Sequence, residues 1–177
     1  MLLVLRLAVY SVEERDYRDS ERMSNMNIIV REATRQDTDD IVRFQQGMAL
    51  ETEGKVLDEV VLKNGITAIF DSSEKGLYLV AEVDGHLAGS LLITYEWSDW
   101  RNATFWWIQS VFVDANWRRK GVYRLMHDYV LNVAESREDI CGIRLYVERT
   151  NTVAQQTYED LGMTHSHYDL YETDFVL

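Results

Sequence analysis

Residues 111–123 read VFVDANWRRKGVY and lead from a β-type run through a basic turn into the strongest amphipathic helix of the chain. The apolar residues of that helix recur at helical spacing and form one stripe: Val122, Leu125, Met126, Tyr129, Val130, Val133 and Ala134. A helix N-terminus presents unpaired N–H groups and a partial positive charge. Gly121 lets the backbone approach a ligand closely. The turn therefore predicts an anion-binding site.

The turn also concentrates positive charge. Arg118, Arg119 and Lys120 are three of 18 basic residues in a chain whose net charge is −12. A solvated helix start is the simpler interpretation, but basic residues at a helix N-terminus oppose the helix dipole. The pattern favours a phosphate-bearing ligand.

Outward from this turn, strands and helices alternate. Apolar alternation predicts strands over residues 27–32, 77–83, 86–97, 104–113 and 143–147, with one or two more formed by residues 165–171 and the tail. A first helix is expected to begin at Thr34. Three more are expected over residues 57–70, 122–134 and 153–161, and Gly162 ends the last of them. This order predicts a mixed α/β or α+β single domain.

Composition narrows the class of protein. A length of 177 residues suits one domain, and 46% hydrophobic residues with five Trp exclude a wholly disordered chain. Cys141 is the only cysteine, which excludes a disulfide scaffold and favours the cytosol. The acidic balance argues against nucleic-acid binding. It suits a cationic small substrate, although acidic surfaces also simply keep proteins soluble.

Residues 1–9 are apolar apart from Arg6, but they lack the basic start and the cleavage site of a secretory signal. The run is also shorter than the ~20 residues that span a bilayer. We expect residues 1–25 to be an N-terminal extension, disordered or outside the native domain, and residues 26–177 to form the domain.

The basic turn resembles the acetyl-coenzyme A motif of the GCN5-related N-acetyltransferase (GNAT) superfamily, which reads Gln/Arg-x-x-Gly-x-Gly/Ala. Arg118 and Gly121 match the first and fourth positions, and Tyr123 departs from the sixth. Downstream, Asn151, Ala154, Tyr158 and the Leu161-Gly162-Met163 ending resemble the family's next strand and helix. The resemblance covers residues 26–171 and implies a central mixed sheet flanked by helices.

The resemblance also implies site residues for acetyl transfer from acetyl-coenzyme A to an amine. Backbone amides of the loop would hold the pyrophosphate, the loop being Arg118, Arg119, Lys120, Gly121, Val122, Tyr123 and Arg124. Val111, Phe112 and Val113 would bond the pantetheine arm, and Asn151 would bond it from the other side. Tyr158 would be the general acid for the leaving thiolate. Without the resemblance, Tyr158 is interpreted as a core aromatic of its helix.

A narrower resemblance concerns the acceptor. Asp99-Trp100-Arg101-Asn102 is similar to a stretch of the diamine and thialysine acetyltransferase branch. That branch has Glu-Asp where this chain has Gln109-Ser110, and an acidic residue where it has Arg149.

These departures predict a preference for an amino-acid-like amine over a polyamine, with Glu96, Gln109 and Arg149 at the acceptor site. Arg149 could pair with an acceptor carboxylate, or merely with Glu148 or Asp160. The candidate bases are Glu96, Asp99 and Glu148, which the sequence does not separate.

Other groups of residues give weaker evidence for a functional site. His165 and His167 make a poor zinc site without further ligands, so no metal is predicted. Cys141 is interpreted as a small core residue. The group of Trp97, Trp100, Trp106 and Trp107 is typical of core or interface.

Together these points predict an acetyl-coenzyme A-dependent N-acetyltransferase that acts on a small-molecule amine, a cytoplasmic homodimer with no nucleic-acid or membrane partner. The alternatives are acetylation of a protein or peptide amine, and a non-catalytic acyl-coenzyme A-binding protein.

Overall fold

The computed structural model describes residues 26–173 and 175, and within them five strands form one sheet. The strands are β1 (Ile28–Glu32), β2 (Leu77–Val83), β3 (His86–Ser98), β4 (Ala103–Val113) and β5 (Ile140–Arg144). They lie side by side in chain order, with antiparallel pairing from β1 to β4 and parallel pairing between β4 and β5.

The described residues contain four α-helices: α1 (Thr38–Glu53), α2 (Glu59–Asp71), α3 (Val122–Glu135) and α4 (Thr152–Asp160). Short 3₁₀ turns at Arg35–Asp37 and Ala115–Trp117 precede α1 and α3. The mixed α/β class predicted from the sequence is confirmed, and the predicted helices and the first four strands match within a few residues.

Helices cover both faces of the sheet. On one face, α3 buries Val122, Met126, Val130 and Ala134 against the inward side chains of the sheet, such as Leu79. On the other face, α1 and α2 pack with residues of β2 that point the opposite way, Tyr78 and Val80. Strand alternation therefore divides the sheet into two apolar faces.

The start of α1 is fixed by a polar network rather than by a Thr34 cap alone. Asp37 Oδ2 accepts the Thr34 backbone N–H at 2.7 Å, and Arg31 donates to both Asp37 oxygens at 2.8 Å. Arg31 also donates to Glu82 of β2 at 2.7 Å. These bonds, those from Arg31 first, hold the pKa of Asp37 below its ordinary value. The network ties the first helix to the edge of the sheet.

Two strand predictions are wrong. β5 spans Ile140–Arg144 rather than 143–147, because its length is set by pairing with β4, which ends at Arg144. Residues 165–171 form no strand, and Tyr168 and Tyr171 are 72% and 91% exposed. An apolar alternation without a partner strand cannot form a ladder.

The chain divides into two compact units, one ending at Leu145 and the other spanning Tyr146–Leu177. All five strands and α1 to α3 belong to the first unit, and α4 belongs to the second. In the described part of the chain, no helix combines the length and apolar character that crossing a membrane requires.

Candidate functional site

β4 is paired with β3 along most of its length but with β5 along only part of it. The parallel ladder to β5 begins at Thr104 and ends where Trp107 lies opposite Arg144. β4 then continues to Val113, and the described residues supply no further strand on that side. Residues 108–113 therefore form an open edge, whose backbone groups face outward from the sheet.

A β-bulge bends the open edge in its middle. Leu91 of β3 lies opposite two residues of β4, Ser110 and Val111. Ser110 has a φ of +51°, in the left-handed region that residues other than glycine rarely adopt. The side-chain Nε2 of the buried Gln45, on α1, lies 3.5 Å from the Ser110 carbonyl oxygen. The bulge interrupts the regular ladder and changes which backbone groups face outward.

The direction of the groups beyond the bulge follows from one hydrogen bond. The backbone N–H of Asp114 donates to Ala88 of β3 at 2.9 Å. Successive residues of an antiparallel strand direct their backbone groups to opposite sides. The N–H groups of Val113 and Val111 consequently point to the open edge.

The basic loop, residues 118–121, follows directly. Arg119 and Gly121 have φ values of +60° and +78°, and Gly121 is the N-cap of α3 without any side-chain cap. Because the first helical hydrogen bond is donated by Leu125, the N–H groups of Val122 and Arg124 have no partner within the helix. A Cβ at Gly121 would meet nothing within 4 Å. The loop thus presents backbone donors to open space.

Two of the three basic side chains of the loop, those of Arg118 and Lys120, contact other residues of the protein. Arg118 donates through Nε to the Val113 carbonyl at 2.8 Å and through Nη2 to Glu51 of α1 at 2.7 Å. Its guanidinium lies 5.4 Å from the Phe112 ring centre, and Lys120 lies 4.8 Å from that of Trp117. Arg118 therefore joins the end of β4 to α1, and the anion-binding capacity of the loop rests mainly on its backbone.

The other end of the open edge carries charged side chains. Three side chains at this end come from neighbouring strands: Glu96 from β3, Trp107 from β4 and Arg144 from β5. We name them the apex cluster. Glu96 accepts from Trp107 Nε1 at 2.5 Å and from Arg144 Nη1 at 2.6 Å. Two positions beyond Trp107, on the same face of the sheet, Gln109 Nε2 donates to Thr94 Oγ1. The cluster lies at the last residue pair before β4 and β5 part.

The three candidate bases have different surroundings. Asp99 is exposed in a turn and accepts the N–H of Trp100 at 2.9 Å. Glu148 is exposed, and hydrogen bonds from the Thr150 hydroxyl and N–H lower its pKa. Glu96 alone is held by side chains of neighbouring strands beside the open edge.

The second unit holds the remaining predicted residues. Asn151 is the N-cap of α4 and accepts the N–H of Ala154 at 3.1 Å, and Tyr158 is half-buried on that helix. Arg149 pairs with Asp169 at 3.1 Å, both strongly exposed, so neither Glu148 nor Asp160 is its partner. The sequence could not reveal this pair, because Asp169 is twenty residues away in an irregular segment.

Other predicted groups are dispersed. Cys141 is half-buried within β5, and Trp106 is buried, whereas Trp97 and Trp100 are 61% and 88% exposed. Among the described residues, no three His, Cys, Asp or Glu side chains are grouped to hold a metal ion. Sequence reasoning did not single out Arg144 or Thr94. Same-face alternation on β3 and β5 was the signal that could have found them.

Comparisons with known proteins agree with this architecture. Residues 38–163 match the model of the acetyltransferase (GNAT) family. A solved structure of a possible acetyltransferase from Clostridium difficile 630 is 44% identical over 85% of this chain and 99% of its own, with a TM-score of 0.79. No curated protein matches the sequence.

More distant structures share the fold. A predicted acetyltransferase from Clostridium acetobutylicum, solved with acetyl-CoA, is 16% identical over 83% of this chain and 96% of its own, with a TM-score of 0.67. Glucosamine-6-phosphate N-acetyltransferase from Arabidopsis thaliana is 16% identical over 83% and 98%, with a TM-score of 0.65.

Proposed function

The chain belongs to the GNAT family of acetyltransferases, and we propose that it transfers the acetyl group of acetyl-coenzyme A to a primary amine of a small molecule, amino-acid-like or polyamine-like. The open edge of β4, leading into the basic loop, is the observation that carries this proposal. Coenzyme A combines an extended arm containing two amides with a pyrophosphate. An unpaired strand edge suits the first, and a helix N-terminus suits the second.

The residues present fit this ligand. The open edge extends over about 17 Å at about 3.4 Å per residue, comparable to an extended arm of two amide units. Val111, Phe112 and Val113 would bond that arm, and the backbone from Arg118 to Arg124 would hold the pyrophosphate. The open space at Gly121 leaves room for a phosphate group to approach. Asn151 is retained as an arm-binding residue on the resemblance alone.

The reaction needs few protein groups. When bound, acetyl-coenzyme A supplies its acetyl group as a thioester. The N–H of Val111 would stabilise the negative charge that develops on the carbonyl oxygen as the acceptor nitrogen attacks. The new C–N bond forms and the C–S bond breaks. On the resemblance alone, Tyr158 would donate a proton to the departing thiolate. Positioning of the two reactants supplies much of the remaining rate.

The acceptor must also lose a proton, because an alkyl ammonium has a pKa near ~10.4. Glu96 is the best placed of the three carboxylates, since Trp107 and Arg144 fix it at the end of the open edge. The lowered pKa of Glu148 makes that group a weaker base. We assign Glu96 the role of receiving this proton, directly or through water.

A thiol-release assay tests the proposal. Acetyl-coenzyme A is incubated with polyamines, thialysine, amino acids, aminoglycosides and peptides, and binding of the coenzyme is measured separately by calorimetry. We expect binding, with release of thiol upon addition of at least one small amine. Release with peptides alone would identify a protein acetyltransferase, and binding without release would identify a non-catalytic binder.

We further propose a cytoplasmic homodimer. A lone thiol at Cys141 suits a reducing compartment. The exposed Trp97 and Trp100 provide apolar surface for a second copy. Sedimentation of the parent and of Trp97→Ser tests this: a monomeric parent, or an unchanged dimer in the variant, would contradict it.

A further inference from the structure

The sheet face under α1 and α2 is only partly covered. Near β2, this face is apolar and buried beneath Ile41 and Ile66. Along β3 the same alternation passes from Leu92, which still packs in that cluster, to Thr94 and then Glu96. The part of this face that α1 and α2 leave uncovered therefore carries polar side chains. A face with only a structural role would continue with apolar side chains.

Aromatic residues hold the charges of this uncovered part in place. The Arg144 guanidinium lies 3.6 Å from the ring centre of Phe105 and donates to one Glu96 oxygen, while Trp107 donates to the other. Gly142 makes this stacking possible, because a Cβ there would lie 2.8 Å from Phe105 Cε1. The apex cluster is thus more rigid than an ordinary surface ion pair, whose long side chains are free to separate.

The cluster remains accessible to a ligand. The Arg144 and Glu96 side chains are 34% and 42% exposed. Two opposite charges with fixed geometry, side by side and partly open to solvent, can exchange partners with a ligand that brings the complementary pair. Every charge then stays paired, which a half-buried site requires.

We propose that the apex cluster recognises the acceptor as a zwitterion, with Arg144 binding its carboxylate and Glu96 binding the ammonium group whose proton it then receives. This inference rests on the proposed function and narrows it to amino-acid-like amines. A polyamine brings only positive charge, so it would satisfy Glu96 and leave Arg144 facing a cation.

Arg149, which the sequence offered as one candidate for this role, is less suited to it. Its side chain is 84% exposed and pairs with Asp169, with no aromatic stacking among its described contacts. The carboxylate-binding role therefore moves to Arg144.

Matched acceptor pairs test the proposal. Lysine and cadaverine differ only in the carboxylate, as do ornithine and putrescine. We measure kcat/KM for each, and also the affinity of each for the protein saturated with coenzyme A, in the parent, in R144Q and in R144K. The parent should prefer the carboxylate-bearing members. R144Q should reduce that preference about 10- to 100-fold, the loss typical of a hydrogen-bonded charge, chiefly through KM and acceptor affinity. The preference of R144K should lie between that of the parent and that of R144Q.

The matched control is R137Q. Arg137 lies 5.9 Å from the Trp106 ring centre and pairs with Asp139 at 2.7 Å, a similar arrangement on the opposite sheet face. R137Q should leave the preference unchanged.

Equal binding of lysine and cadaverine by the parent, binding of neither, or an unchanged preference in both Arg144 variants would overturn the proposal. Failure of the proposed function itself is a different result, in which coenzyme is not bound or no amine releases thiol. If no amine releases thiol, the affinities measured with coenzyme A still decide for or against the zwitterion site. If coenzyme is not bound, the same affinities are measured on the free protein.

Discussion

The two ends of the open edge of β4 each depend on a glycine, for opposite reasons. At the basic loop, Gly121 has a φ of +78°, and a Cβ there would meet nothing within 4 Å. At the apex cluster, a Cβ on Gly142 would strike the Phe105 ring at 2.8 Å. The first glycine leaves space that the protein does not fill, which is what a ligand site requires. The second leaves space that a side chain of the protein occupies, which is a packing requirement.

The two ends also differ in how the chain assembles them. The basic loop consists of consecutive residues between a strand and a helix, whereas the apex cluster joins residues from β3, β4 and β5. A substitution at the loop should therefore affect ligand binding first. A substitution at the apex should affect packing and acceptor choice first.

The largest expected effect is that of Gly121→Glu. A carboxylate side chain would enter the space where a pyrophosphate approaches the backbone, bringing both bulk and like charge. We expect coenzyme binding to fall below detection by calorimetry, and activity with it.

Gly85→Glu is the control for this change. Gly85 also has a positive φ, +81°, and open space around its Cβ position, but it lies in the β2–β3 turn. It should suffer similar backbone strain and keep its coenzyme affinity. Unaltered affinity in a folded Gly121→Glu protein would disprove the loop assignment.

Tyr158→Phe should have the next largest effect. Loss of a general acid typically lowers the rate by about 10²–10⁴-fold, and removal of one hydroxyl hardly alters packing. We expect kcat to fall by this order with coenzyme affinity retained. Tyr168→Phe, at a site 72% exposed, is the control and should be silent. If Tyr158→Phe matches the parent when chemistry is rate-limiting, Tyr158 is a packing residue of α4.

The basic loop was singled out from the sequence pattern itself, and the reason is physical, whereas Tyr158 was singled out only through the family resemblance. The apolar stripe, the glycine and the basic run that define the basic loop lie within one short segment, so local pattern is enough to predict the strand, turn and helix. The open edge was also anticipated, through the resemblance, at Val111 to Val113.

The apex cluster depends on which strands are neighbours and on their register, neither of which a single strand's pattern reveals. Glu96 was therefore one of three equivalent candidates. Arg144 appeared only as a polar residue within a strand whose bounds were misplaced by three residues. The Arg149–Asp169 pair was missed for the same reason, since an irregular segment gives no periodicity from which contacts can be predicted.

Gly142→Ala tests the packing side of the comparison. The added methyl group must displace the Phe105 ring, and overpacking of this kind costs about 1–3 kcal/mol of stability. We expect the free energy of unfolding to fall by this amount, with coenzyme affinity unchanged. Gly65→Ala is the control: this glycine lies within α2 with nothing within 4 Å, so alanine there should stabilise the protein by up to about 1 kcal/mol. A Gly142→Ala protein as stable as the parent would show that the ring position is not fixed by this glycine.

The smallest expected effect is a pH dependence at the loop end. His127 lies on α3, one turn after Tyr123, with 3% of its side chain exposed. Burial lowers the pKa of His127 below its ordinary value of 6.5, while the adjacent Asp128 opposes this shift and Arg124 adds to it. The unfolded chain takes up this proton as the pH falls through about 6.5, and the folded protein resists it. The free energy of unfolding should therefore decrease from pH 7.5 to 5.5 and level off below the pKa of the folded state.

His127→Leu isolates this contribution. The variant removes the titrating group, so its melting temperature should fall less than that of the parent over the same range, whereas His86→Gln, at an exposed site, should behave as the parent does. The window lies above the range in which Asp37 titrates, because the Arg31 hydrogen bonds lower the pKa of that carboxyl. Acid loss of the polar network at β1 therefore cannot produce the same signal. If the melting temperatures of His127→Leu and of the parent fall equally with pH, protonation of His127 does not destabilise the folded protein.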